Sequence, residues 1–216
     1  MAVTYYIVTT LILIAYLLGS IPSAVMIGKR FFGIDIREHG SKNAGSTNVL
    51  RVLGRRAAIP VFVIDFCKGL FAVLLVGVLN QDPNFTAEGI INLRIFIVFA
   101  VVLGHIFPIF ADFRGGKGVA TLVGALMGIN PPVMLICLAI WFITLVAFHY
   151  VSVASMTGGV CFPIVVLIYP GAKESLLYII FSFVVAGLLI LTHRKNIERL
   201  RNGEESKIYV FGNKEQ

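Results

Sequence analysis

Four polar segments of this 216-residue chain carry the residue types that hold phosphate. The first, HGSKNAGSTNVLR (residues 39–51), offers Ser41, Asn43, Ser46, Thr47 and Asn48 as donors. Gly40 and Gly45 there allow close backbone approach, and Arg51 adds a bidentate cation. The plainer reading is a polar loop that caps the following helix through Thr47 or Asn48. The second, GHIFPIFADFRGGKGVAT (104–121), has the physics of a phosphate loop. Gly115 and Gly116 let the backbone approach an anion, Lys117 brings charge, and a helix starting near Gly118 offers unpaired N–H groups. It is not a Walker A loop, because glycine follows the lysine. A helix start with flexible glycines and a topology-setting lysine explains it equally. The third group is His149, Ser152 and Ser155, and the fourth is HRKNIERLRNGEE (193–205).

Other arrangements carry less. Cys67, Cys137 and Cys161 sit singly in apolar runs, as small buried hydrophobes do, and the four histidines form no ligand pair. No protein-held metal and no cofactor is expected. His193 and Glu198 have an H-x4-E spacing with no supporting pattern around it, and we assign it to chance. Asp65 and Lys68 share a helical face inside an apolar stretch, either as a functional pair or as a structural clamp. Gly124 and Gly128 form a GxxxG of the helix-packing kind.

Elements that position these segments must lie in a membrane. Hydrophobic residues make up 58% of the chain and charged residues 13%, about half the share of a soluble domain, with mean hydropathy +0.92. Soluble enzymes, disordered chains and disulfide scaffolds are excluded. The net charge of +7 fits a topology signal or an anionic substrate; nucleic acid is not an expected partner. Residues 1–28 carry no charge and read as a retained first span. Residues 29–56 hold seven cations against two acids, which puts them in the cytoplasm and the N-terminus outside.

Further spans are expected at 57–79, 95–111 and 175–192, with a cationic tail, 193–216, inside. Residues 118–172 contain no Asp, Glu, Lys or Arg and are too long for one crossing. Parity then requires three, broken at Asn130-Pro131-Pro132 and near His149–Ser155. The expectation is an all-α integral membrane protein of seven transmembrane helices. Its N-terminus is outside, its C-terminus is cytoplasmic, and short re-entrant or broken helical pieces lie near the inner face. A five-span arrangement with 118–129 re-entrant and another segment lying in the interface is the fallback. Residues 1–216 form a single domain in this reading.

The motifs resemble those of the bacterial PlsY family, the acyl-phosphate-dependent glycerol-3-phosphate acyltransferases. GSIPSAVMIGKRFFGIDIREHGSKNAGSTNVLR (19–51) is similar to its first motif, GHIFPIFADFRGGKGVAT to its second and HRKNIERLRNGEE to its third. DFCKG (65–69) and VSVAS (151–155) also look like family positions. Lys42 stands where the family usually has Gly, Ser46 where it has Ala, His149 where Arg is common and Lys195 where Glu is common.

The resemblance implies transfer of a fatty acyl group from acyl phosphate to the 1-hydroxyl of sn-glycerol 3-phosphate, giving lysophosphatidic acid and inorganic phosphate. The setting it implies is the bacterial cytoplasmic (inner) membrane, with the site facing the cytoplasm. Ser41, Arg51, Lys117, His193 and Asn196 are the implied catalytic residues. Asn43, Thr47, Asn48, Gly115, Gly116, Gly118, Ser152, Ser155 and Glu205 are the implied substrate-binding ones. Partners are the two phosphate substrates and the bilayer; oligomeric state stays open, a monomer included. For the hydroxyl proton, a substrate phosphate (second pKa about 6) is favoured over His193 as base. The competing class is an organophosphate transporter, disfavoured because polar residues gather at one face and no repeat is present.

Overall fold

The computed structural model describes residues 2–172 and 175–209; residues 210–216 of the cationic tail lie outside them. Among the described residues the chain is helical, with no strand, and it divides into two compact units, Met1–Ile129 and Asn130–Gln216.

In the first unit, the span expected over 1–28 is broken. Helix α1 (Ala2–Gly19) stops before Ser20-Ile21-Pro22, and α2 (Ser23–Phe32) starts after them. Pro22 has no N–H to continue the ladder and disfavours helical geometry at Ile21. The Ile21 carbonyl is met instead by Lys68 Nζ at 2.9 Å. A short 3-10 turn, Ile36–Glu38, leads through the first motif to α3 (Ser46–Leu53).

Helix α4 (Arg55–Leu74) continues as a 3-10 helix to Leu79, close to the expected 57–79. Helix α5 (Ala87–Ile106) starts well before residue 95. Thr86 caps it, accepting the Gly89 N–H at 3.0 Å, and the polar residues up to Arg94 form its first turns. Apolarity marks the lipid-facing length of a helix, whereas the cap decides where it begins. Helix α6 (Val119–Ile129) has 11 residues, about 16 Å, against a hydrocarbon core of about 30 Å. It lies on α4, where a methyl on Gly124 would collide with the Phe66 carbonyl and one on Gly128 would stand 3.0 Å from Val73. The GxxxG is a packing face, as its spacing suggests.

The second unit holds α7 (Pro131–Phe148), α8 (Val151–Ile168), α9 (Leu176–Thr192) and α10 (Arg194–Arg201). Asn130 caps α7 through the Val133 N–H at 3.2 Å, with prolines at its first positions. His149 closes α7 in the left-handed region, φ +63°. Both breaks fall where expected. Five stretches are long and apolar enough to cross a membrane: Val3–Phe32, Arg55–Leu79, Ala87–Ala111, Pro131–Phe148 and Val151–Ile168. The pair α9 and α10, bent by 52°, would make a sixth. Large apolar side chains cover their outer faces, Ile143 at 67% and Ile168 at 73% exposure, as suits a lipid solvent.

Candidate active site

Helix α3 aims the first motif. Its Val49 is fully buried against Ala24, Val25, Ile36, Ala57 and Val61, with Leu50, Val52 and Leu53 packed alongside. That docking turns Arg51, in its last turn, to the exposed side. The preceding loop is knitted by Asn48, only 2% exposed. Its Nδ2 donates to the carbonyls of Ile36 (3.1 Å), His39 (3.0 Å) and Asn43 (3.0 Å), and its Oδ1 accepts the Ser41 N–H at 2.8 Å. Asn48 therefore spends its amide on holding the loop.

Ser41, Asn43 and Thr47 are half-buried around that hub. Gly45 is the N-cap of α3 and no side chain caps it, so the helix-capping alternative for Thr47 or Asn48 does not hold. The N–H groups of Ser46 and Thr47 make no hydrogen bond among the described residues, leaving donors where an anion would sit. Lys42 occupies the left-handed region, φ +57°, which is the physical reason glycine suits that position.

The loop before this motif is tied to the second one. Asp35 accepts from Arg37 Nη2 at 2.7 Å and from the Arg37 N–H at 3.0 Å, while Arg37 Nη1 donates to the Ala111 carbonyl at 2.9 Å. The Arg37 hydrogen bonds, against a smaller opposing effect of burial, hold the Asp35 carboxyl far below the ordinary carboxylate range.

In the second motif the Gly115 N–H donates to Ile106 O at 3.1 Å and the Gly116 N–H to His105 O at 3.2 Å. These amides finish α5. Their glycines are required for close packing. A methyl on Gly116 would collide with His105 Nε2 and stand 2.8 Å from the Ala44 carbonyl, so the first and second motifs adjoin at this residue. Lys117 follows, half-buried, and Gly118 (φ +77°) opens α6.

Behind these loops lies a buried polar cluster. Asp65 Oδ1 accepts from Ser23 Oγ at 2.7 Å and Lys68 Nζ at 2.8 Å, and lies 3.5 Å from His105 Nδ1.

In the second unit the third motif turns on Glu205. Asn196 Nδ2 donates to Oε1 and Arg199 Nε to Oε2, each at 2.7 Å. Burial raises the Glu205 carboxyl pKa, but the Arg199 and Asn196 hydrogen bonds outweigh it, and the net shift is downward. Ser152 is buried beside Glu205, its hydroxyl without a hydrogen bond of good geometry among the described residues. Ser155 instead accepts from Trp141 Nε1 at 3.3 Å. His193, 4% exposed, ends α9 with Nδ1 2.8 Å from the Leu189 carbonyl, which puts the proton of the neutral ring on Nδ1 and makes Nε2 the acceptor.

Arg37, His105 and Trp141 are contacts that motif reading passed over. The only signal was position: His105 stands inside GHIFPIF, and Asp35-x-Arg37 is a short acid–base pair.

A family model described as Glycerol-3-phosphate acyltransferase matches residues 9–203. A Glycerol-3-phosphate acyltransferase of Thermoanaerobacter sp. (strain X514) is 46% identical over 196 residues, covering 91% of this chain and 93% of the relative. A crystal structure of PlsY (YgiH), an integral membrane glycerol 3-phosphate acyltransferase in its glycerol 3-phosphate form, superposes with TM-score 0.81 at 34% identity. It covers 93% of this chain and 95% of that one. The lysophosphatidic acid form gives TM-score 0.77 at 33% identity with the same coverage. The chain belongs to the glycerol-3-phosphate acyltransferase family.

Proposed function

We propose that this multi-pass integral membrane protein transfers a fatty acyl group from acyl phosphate to the 1-hydroxyl of sn-glycerol 3-phosphate, releasing lysophosphatidic acid and inorganic phosphate. Acylation of glycerol 3-phosphate is the activity named for its relatives and pictured in the PlsY forms with glycerol 3-phosphate and with lysophosphatidic acid. Acyl phosphate as donor rests on the family resemblance. The observation that carries the reading is the junction at Gly116, where a turn leading to Lys117 meets the loop knitted by Asn48. Two phosphate-bearing substrates need such neighbouring donors.

In this reading Arg51 and Lys117, with Ser41 and Thr47, hold phosphate in the first unit, and His193 with Asn196 does so in the second; Asn43, Gly118 and Ser152 contact substrate. Asn48, Gly115, Gly116, Ser155 and Glu205 act by holding the others in place. The glycerol hydroxyl oxygen attacks the acyl carbon and the bond to the phosphate oxygen breaks. The hydroxyl proton ends on the departing phosphate, so that it leaves as hydrogen phosphate. Fixing the nucleophile about 3 Å from the acyl carbon supplies much of the rate. A second reading for the proton has one observation in its favour: the Nδ1 contact of His193 with Leu189 leaves Nε2 as the basic nitrogen.

In this reading the chain acts as a single catalytic domain. In the seven-span arrangement α1 with α2 and then α4 to α9 each cross once, the 11-residue α6 doing so where the bilayer thins around it. The excess of cations over acids in 29–56 and 193–216 orients the motifs to the cytoplasmic side of a bacterial inner membrane.

The test uses purified protein with palmitoyl phosphate and glycerol 3-phosphate, following phosphate and lysophosphatidic acid. Equal yields of both, abolished in Arg51→Ala, are expected. Phosphate release indifferent to glycerol 3-phosphate would make it a hydrolase and overturn the reading.

A further inference from the structure

We propose that His105 is a positioning residue for the phosphate-holding turn of the second motif, set in place by the buried carboxylate of Asp65. The proposal rests on the functional reading above.

His105 is 7% exposed in the last turn of α5 and touches the turn twice. Its carbonyl accepts the Gly116 N–H, and its Nε2 edge fills the space a side chain at 116 would need. Lys117 is the next residue, so the ring fixes where that side chain departs. The ring is itself held from the far side. Nδ1 lies 3.1 Å from Thr121 Oγ1 on α6 and 3.5 Å from Asp65 Oδ1 on α4. Contacts from two other helices thus meet at Nδ1 and fix the orientation of the ring.

Asp65 is 1% exposed and is anchored by Ser23 on α2 and Lys68 on its own helix. Lys68 also closes the broken first span at Ile21. Three helices, α2, α4 and α5, thus converge on one carboxylate, and the group they present to the second motif is His105.

The experiment measures kcat and KM for glycerol 3-phosphate and palmitoyl phosphate in monodisperse, detergent-purified His105→Ala, His105→Asn, Thr121→Val and Lys117→Ala. Losing the ring should raise KM for at least one phosphate substrate by about tenfold with kcat within about threefold, since a displaced turn weakens binding. His105→Asn keeps a donor near the Nδ1 position and should recover part of the loss. Thr121→Val, which removes one of two partners at Nδ1, should raise KM by roughly threefold.

Unchanged KM in folded His105→Ala, or a fall in kcat alone, would overturn the proposal. If His105→Ala does not fold, unchanged KM in Thr121→Val overturns it. Lys117→Ala reports on the underlying site: unchanged KM there sinks the phosphate assignment itself. A raised KM in Lys117→Ala beside an unchanged one in His105→Ala removes only the role of His105.

Discussion

Replacing Asn48 by alanine should disable the first motif while leaving the helical framework intact. The side chain has two N–H groups for three carbonyls and one oxygen for the Ser41 amide, so it supplies about three full hydrogen bonds. At about 1 kcal/mol net each, their loss costs the ordered loop about 3 kcal/mol. A tenfold change corresponds to about 1.4 kcal/mol, so the ordered population falls by on the order of 100-fold relative to the open one. KM for glycerol 3-phosphate should rise by one to two orders of magnitude where the loop binds only when ordered.

Trypsin provides an independent reading, because exposed Lys42 lies within the loop and should be cut faster in Asn48→Ala. Asn48→Asp keeps an acceptor for Ser41 but turns oxygen toward three carbonyls, so it should be at least as damaging. The reasoning is refuted if Asn48→Ala keeps KM within about twofold and cleavage at Lys42 is unchanged. It is refuted equally if Asn48→Asp outperforms Asn48→Ala.

Three other outcomes are expected. Lys42→Gly relieves a left-handed side chain and should raise thermal stability in detergent by up to about 1 kcal/mol, at little cost in KM. Gly124→Leu drives a side chain into the Phe66 carbonyl and should destabilise by about 3 kcal/mol or more, whereas Gly187→Ala, with open space around it, should be neutral or gain up to about 1 kcal/mol. Glu205 has a folded pKa below its unfolded value, so its contribution is complete above that value and is lost as pH falls through the folded one. The stability gap between the wild type and Glu205→Gln should therefore stay constant from about pH 7.5 to 5.5 and close only below about pH 4, as followed by thermal unfolding.

Hydropathy and proline located the helical segments because lipid forces each span to satisfy its own backbone, so uninterrupted apolar runs are nearly forced to be helices. Charge marks the ends of an apolar run but not a break inside it, so the interruption at Ser20–Pro22 is signalled by Pro22 alone. The start of α5 is hidden for a related reason: Thr86, a cap, governs it, and Glu88 and Arg94 sit inside the helix. At the site, the motif residues were legible as a set but their duties were not. Asn48, Gly115 and Gly116 look like ligands in the sequence, because an amide or a glycine amid hydroxyls and cations suits phosphate. Only the hydrogen-bond geometry shows those groups engaged with Ile36, His39, Ile106 and His105 carbonyls. Asp65 and Lys68 were visible as a pair, but their partners Ser23 and His105 are tens of residues away and no local spacing announces them.

The position of the Asp65–Lys68 pair in the chain bears on how the protein enters the bilayer. A carboxylate and an ammonium near the middle of a helix each oppose insertion by about 2.5–3.5 kcal/mol when the helix is tested alone. Both groups meet partners that the ribosome has already delivered: Ser23 takes one Asp65 oxygen, and the Ile21 carbonyl takes the Lys68 ammonium. The broken first span therefore acts as a waiting receptor for α4, lowering its barrier to entry before any later helix is made. A residue change at Ser23 would then be felt first as poor membrane integration of a chain truncated after Leu79, before any activity exists to be lost.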